Sequence, residues 1–166
     1  MANKTKYSNF KWKSMIEEKL KELGIKLPMP PSPAGSYIPV VTTGNLAFVS
    51  GQIPMKEGKV IFEGKVPDVQ SLDSARDAAK ICIINGLAQL KTNLGSLDRI
   101  KKFVRISGFV SSNPDFREQP KVINAASDLL VEIFGEMAKH SRIAVGVASL
   151  PLNSTVEIDM VVEFST

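Results

Sequence analysis

The chain has one cysteine and one histidine among its 166 residues. A lone thiol, Cys82, excludes an internal disulfide framework and suits a reducing compartment. One thiol and one imidazole are also too few for a His/Cys metal site within a single chain. Aromatic residues make up only 7% of the sequence, with one tryptophan, and they are dispersed. Single-stranded nucleic acid usually needs clustered aromatic faces on a basic surface, so this is a poor candidate for that role. No apolar run approaches the roughly 20 residues of a membrane helix. The lysines near the N-terminus are not followed by the apolar stretch of a secretory signal. Together these absences lead us to expect a cytoplasmic protein with no membrane partner.

What is present is an ordinary globular balance, 43% hydrophobic and 23% charged, with enough chain to bury one core. The net charge of +4 owes much to Lys4, Lys6, Lys11, Lys13, Lys19, Lys21 and Lys26, opposed by Glu17, Glu18 and Glu22. Lysines on a solvated helix explain this excess, since charge alone supplies only non-specific nucleic-acid affinity.

The pattern predicts a helix from about Phe10 to Leu23 with Met15, Ile16, Leu20 and Leu23 as its stripe; Ser14 and Glu17 could instead form a capping box that starts it later. The proline-rich LPMPPSPAG segment, Leu27 to Gly35, reads as an extended strap. We therefore expect an N-terminal extension over residues 1–35 and a main body over 36–166. From Tyr37, two strands flank Gly44-Asn45 as a hairpin, and Gly51 marks a bulge or a close approach. Lys56-Glu57-Gly58 is another turn. A long helix covers roughly Val69 to Leu94, with Cys82 inside its apolar stripe as a structural thiol. In the strand that follows, Val104, Ile106, Gly108 and Val110 form the more apolar set, expected to face the helices. A second amphipathic helix spans about Pro120 to Met137, with Gly135 a possible early stop.

The C-terminal stretch, Ser141 to Phe164, reads as two β-branched runs joined by a turn at Leu150-Pro151-Leu152-Asn153. Each run carries one charge that packing alone would not select, Arg142 and Glu157. An antiparallel hairpin could bring them together if the register allowed. A structural cross-strand ion pair and a functional cation–carboxylate pair both fit that pattern. The whole order predicts an α+β sheet with both helices on one face. The opposite face, with Val145, Val147, Ile158, Met160 or their alternates, is too apolar for open solvent, so self-association with closed symmetry is expected.

Several segments in one order resemble the RidA/YjgF family, also called endoribonuclease L-PSP. They are SGQIP at Ser50 to Pro54 with GKV at Gly58 to Val60, LGSLDRIKKFVRISGFV, Asp115-Phe116 with Asn124, and RIAVGVASLPLNSTVEID. The resemblance runs from about Tyr37 to the C-terminus and suggests a longer-chain branch. It implies a chorismate mutase-like (RidA-like) mixed β-sheet with two helices on one face, here carrying an N-terminal helical extension. It also implies a homotrimer with sites in the clefts between subunits, hydrolysis of reactive imines and enamines to 2-keto acids and ammonia, and no metal or organic cofactor.

In that resemblance Arg142 matches the arginine that binds the substrate carboxylate, and a guanidinium fork suits a carboxylate in bidentate geometry. Glu157 matches the acid that handles water and proton transfer. Tyr37, Gly51 and Asn124 match positions lining the cleft. Ala144 stands two residues after the arginine, where the best-known members carry a cysteine whose backbone carbonyl could orient water. Gly146 and Ser149 replace residues that tend to be charged. His140, beside the arginine, could be a general base or a capping residue. Two other functions stand as alternatives: a non-catalytic trimer that uses the same Arg142 to bind a small carboxylate as a signal, and an endoribonuclease, which would depend on the basic N-terminal segment rather than on Arg142.

Overall fold

The computed structural model describes residues 14–30 and 36–166. Helix α1 runs from Met15 to Glu22, and Ser14 caps it by accepting a hydrogen bond from Glu17 N at 3.1 Å. The later start is therefore the one adopted, and positions 10–13 of the expected helix lie outside the described residues, as does the 31–35 part of the strap. Leu20 is buried and Ile16 and Leu23 pack beside it. These three sit at i, i+4 and i+7, one row of the helix surface. Met15 falls off that row and is exposed, which corrects the expected stripe. α1 is fastened to the body by Ile16 N donating to Asp98 Oδ1 at 3.0 Å and by the Lys91–Glu17 ion pair at 2.6 Å.

Strands β1 (Val40–Thr43) and β2 (Leu46–Gln52) form the expected hairpin about Gly44-Asn45. The short pair β3 (Met55–Lys56) and β4 (Lys59–Val60) closes over Glu57-Gly58. Helix α2 begins at Leu72, with Ser71 as its cap accepting from Ser74 N, and ends at Leu94. β5 spans Ile100–Ser111 and α3 spans Gln119–Phe134, where Gly135 does stop it. β6 (Ser141–Val147) and β7 (Val156–Phe164) complete the chain. The main sheet has the order β1-β2-β7-β5-β6, and only the β5–β6 pair is parallel.

That order corrects the C-terminal hairpin. β6 and β7 do not pair; β5 lies between them. The reason is visible in the elements. β5, α3 and β6 form a strand–helix–strand crossover, which returns the chain parallel to β5. The segment from 148 to 155 then has to step over β5 to reach the middle of the sheet, and Leu152 and Asn153 turn it with positive φ angles of 53° and 57°.

α2 and α3 cover one face, where Ile83, Leu87, Leu90, Ile106, Ile123 and Leu130 are among the fully buried side chains. Ile158 and Met160 belong to this face too, so the bare side of the sheet is built from their alternates. Val41, Phe48, Ile143 and Val145 are exposed there, with Phe109 and Val161 partly covered. β5 holds a second correction. Its register with β7 shifts between Phe103 and Arg105, and this bulge changes the inward phase. Phe103 is fully buried and meets Phe134 edge-on at 4.9 Å, while Val104 is turned outward.

Candidate active site

Glu157 is the second residue of β7, opposite Phe109 and on the face away from the helices. Its carboxylate lies against β2, where the register slips between Val49 and Gln52. A Cβ placed on Gly51 would sit 1.9 Å from Glu157 Oε1. Glycine at this position thus gives the carboxylate its room, and any side chain would displace it. A cleft of about 560 Å³ opens here, lined by Tyr37, Gly51, Gln52, Asn85, Leu152 and Glu157. The strap contributes Pro28, Met29 and Pro30 to its wall. Asn85, reaching from α2, donates to the carbonyls of Ile53 and Met55 at 3.0 Å each, and so fixes the chain between β2 and β3.

Burial pushes the Glu157 carboxyl above the usual glutamate range, and the neighbouring charge of Asp159 adds to the shift. A carboxyl group that retains a proton more readily can exchange one with a bound water or amine. Cys82 lies behind the sheet and is fully buried, with its thiol directed at Val156 O at 3.6 Å. Burial, then the charge of Glu157, raise its pKa well above the thiol norm. It is a packed thiol rather than a nucleophile.

Arg142 occupies a different place. It is the second residue of the edge strand β6, in register with Ile106 and on the helix side of the sheet. Its Nη1 donates to Asn124 Oδ1 at 2.9 Å and to Ser127 Oγ at 3.0 Å. Asn124 and Ser127 are three residues apart on α3 and share one helical row. Both hydrogens of Nη1 are thereby used. Among the described residues no protein group takes the Nε–H or the Nη2 hydrogens, which together form a two-pronged edge able to meet a carboxylate. Ala144, in register with Gly108, lies along the same face of β6.

The expected site residues therefore fall into two groups within one chain. Tyr37, Gly51 and Glu157 share the cleft; Arg142, Asn124 and Ala144 share the β6 edge. From strand spacing and register the Cα atoms of Arg142 and Glu157 are about 14 Å apart, and their side chains leave opposite faces. The residues that sequence reasoning missed are Ser127, Gln52 and Asn85. Ser127 had a signal, since Asn124 and Ser127 stand at i and i+3; Gln52 and Asn85 had none beyond being polar.

Residues 17–164 match the family model described as "YjgF/chorismate mutase-like, putative endoribonuclease". The chain belongs to that family. Protein TCP17 of Trypanosoma cruzi is 39% identical over 90% of this chain and 94% of its own length. A 2-iminobutanoate/2-iminopropanoate deaminase of Dermatophagoides farinae is 29% identical over 83% of this chain and 93% of its own. Among solved structures, the Atu1372 protein of Agrobacterium tumefaciens superposes with a TM-score of 0.86 at 46% identity, covering 91% of this chain and 93% of that one. The YjgF/chorismate mutase-like fold is thus the architecture described above, a mixed sheet with helices on one face. Among the described residues no helix is long and apolar enough to cross a membrane.

Proposed function

We propose that the chain hydrolyses small 2-imino or enamino acids to 2-keto acids and ammonia, at clefts completed by a neighbouring copy of itself. The observation that carries this reading is the half-satisfied Arg142. Its Nη1 is held by Asn124 and Ser127, leaving its Nε/Nη2 edge for an anion with two coplanar oxygens. On the partner side of such a cleft, the raised pKa of Glu157 suits a group that activates water and then protonates the leaving nitrogen. Tyr37 and Asn124 would line the substrate, and the carbonyl of Ala144 would serve the role a backbone acceptor can fill without a thiol.

The separation of Arg142 and Glu157 within a chain supports completion by a second copy, as does the apolar face bearing Phe48 and Val145. A closed ring of such copies lets each heterologous contact complete one site, and three copies is the number that the family resemblance implies. The extension over residues 1–35 would act beside the 36–166 body through its strap. The deaminase relative at 29% identity points the same way. An RNA-cleaving role would need a free acid and base, and both ring nitrogens of the sole histidine are already engaged.

The test is release of 2-keto acid from enzymatically generated 2-imino acids, with and without the protein. Acceleration that is lost in Arg142→Ala by at least about a hundredfold is expected, since a truncated charge–carboxylate contact costs about 3 kcal/mol or more. Binding of a 2-keto acid without any turnover would favour a regulatory binding protein, and neither binding nor turnover would end both readings.

A further inference from the structure

His140 sits just before Arg142 and is half-buried in a 360 Å³ recess with Ser127, Val131, Lys139 and Arg142. Its Nδ1 faces the carbonyl of Ala138, and its Nε2 lies 3.0 Å from Ser127 Oγ. A carbonyl can only accept, so Nδ1 carries the proton. In the neutral ring Nε2 is then an acceptor, and it takes the hydroxyl hydrogen of Ser127. That leaves the Ser127 oxygen lone pairs directed toward Arg142 Nη1, which donates to them at 3.0 Å. The bonds run one way: Arg142 to Ser127, Ser127 to His140, His140 to Ala138. Asn124 Oδ1 takes the other Nη1 hydrogen.

We propose that Ser127 and His140 are positioning residues that fix the rotation of the Arg142 guanidinium, so that its Nε/Nη2 edge is the one presented to a substrate carboxylate. The assignment of that edge rests on the functional reading above; the relay itself does not. Neither residue touches the substrate. Fixing the guanidinium beforehand removes ordering cost from binding, which is the general benefit of a preorganised site.

Protonation of His140 would break the direction of the relay. The imidazolium has no acceptor at Nε2, so it would donate to Ser127 Oγ, which would then accept from two cations at once and hold Arg142 Nη1 less firmly, with its own hydrogen turned away from both. The charged groups facing the ring are Arg142 on β6 and the adjoining Lys139, whose Nζ pairs with Glu136 at 2.9 Å; α3 presents Ser127 and Val131, neither of which titrates. Burial holds the His140 pKa below the ordinary histidine value, opposed in part by the hydrogen bond to Ala138 and helped by the charge of Arg142, so the relay is intact at neutral pH.

Two measurements on the full chain test this. The first is ligand-free nuclear magnetic resonance. His140 should show the Nδ1–H tautomer, and the Arg142 Nη protons should exchange and rotate slowly, an effect lost in Ser127→Ala. The second is titration with 2-oxobutanoate. Ser127→Ala and His140→Ala should bind about tenfold more weakly, the ratio expected when a hydrogen bond to a charged group is lost. His140→Gln, which keeps an acceptor for Ser127, should bind within about twofold of the original. As pH drops through the His140 titration, affinity in the unaltered protein should fall relative to that of His140→Gln at the same pH, a comparison in which the Glu157 titration cancels. An Nε2–H tautomer, or unchanged Arg142 dynamics in Ser127→Ala, overturns the relay whatever 2-oxobutanoate does. Affinity that rises relative to His140→Gln as His140 gains its charge overturns the positioning role. An intact relay with no 2-oxobutanoate binding overturns the carboxylate assignment alone.

Discussion

At the scale of single residues, Glu157 shows the cost of a half-buried carboxyl group. Its folded pKa is raised, with burial as the main cause. Between the unfolded and folded pKa values the native state binds more protons than the unfolded chain, so stability falls as pH rises through that window. Above it, the ionised carboxylate is a net burden on the fold. Glu157→Gln keeps the shape and removes the burden. The substitution should raise the melting temperature at pH 7 to 8, and the gain should vanish once pH is below the ordinary glutamate range. Thermal melts across pH read this directly, and a Gln variant less stable than the original at pH 8 would contradict it. On the proposed function, the same variant should also lose imine hydrolysis, an exchange of activity for stability.

At the scale of elements, β5 organises the molecule, since both C-terminal strands are placed by it. It pairs with β6 on one side and β7 on the other, and Gly108 lets α3 settle on it. A Cβ at Gly108 would meet Ile123 side-chain atoms at 2.5 Å. Gly108→Ala should therefore destabilise the protein by about 1–3 kcal/mol through overpacking, and denaturant unfolding would measure it. Because Ile123 and Asn124 are adjacent on α3, the substitution should also disturb the Arg142 contact.

Much at this scale was legible in the sequence. The Gly44-Asn45 hairpin, both long helices, the stop at Gly135 and the buried thiol each follow from a local rule. The strand pairing at the C-terminus does not. Arg142 and Glu157 lie in two runs separated by a plausible turn, and proximity in sequence favoured a hairpin. The competing signal was the α3 crossover, which sends β6 to the far side of β5. The Phe103 bulge was invisible for a similar reason. A shift of one residue leaves no mark where two apolar residues, Phe103 and Val104, stand side by side. Arg142 and Glu157 were singled out because their charge stands out against their strands, while Tyr37, Gly51, Asn124 and Ala144 came only through the family resemblance. Their grouping into two separate clusters needed the topology.

At the scale of the whole molecule, the face of the sheet opposite the helices exposes Val41, Phe48, Ile143 and Val145. An exposed apolar patch of this kind marks an interaction surface. If the proposed ring forms, Phe48→Glu should shift it toward single chains in sedimentation experiments, and the proposed imine hydrolysis should fall with it although Arg142 and Glu157 remain. Full activity from an isolated chain would contradict a shared site.

The central claim is that Arg142 of one chain works with Glu157 of another. Subunit complementation tests it most directly. Arg142→Ala and Glu157→Gln chains, each inactive alone, are unfolded together, refolded in equal amounts and assayed for imine hydrolysis. In a mixed ring, some clefts then pair an intact Arg142 with an intact Glu157, and random assembly should restore roughly a quarter of the original activity. No recovery from properly assembled mixed oligomers would contradict the account.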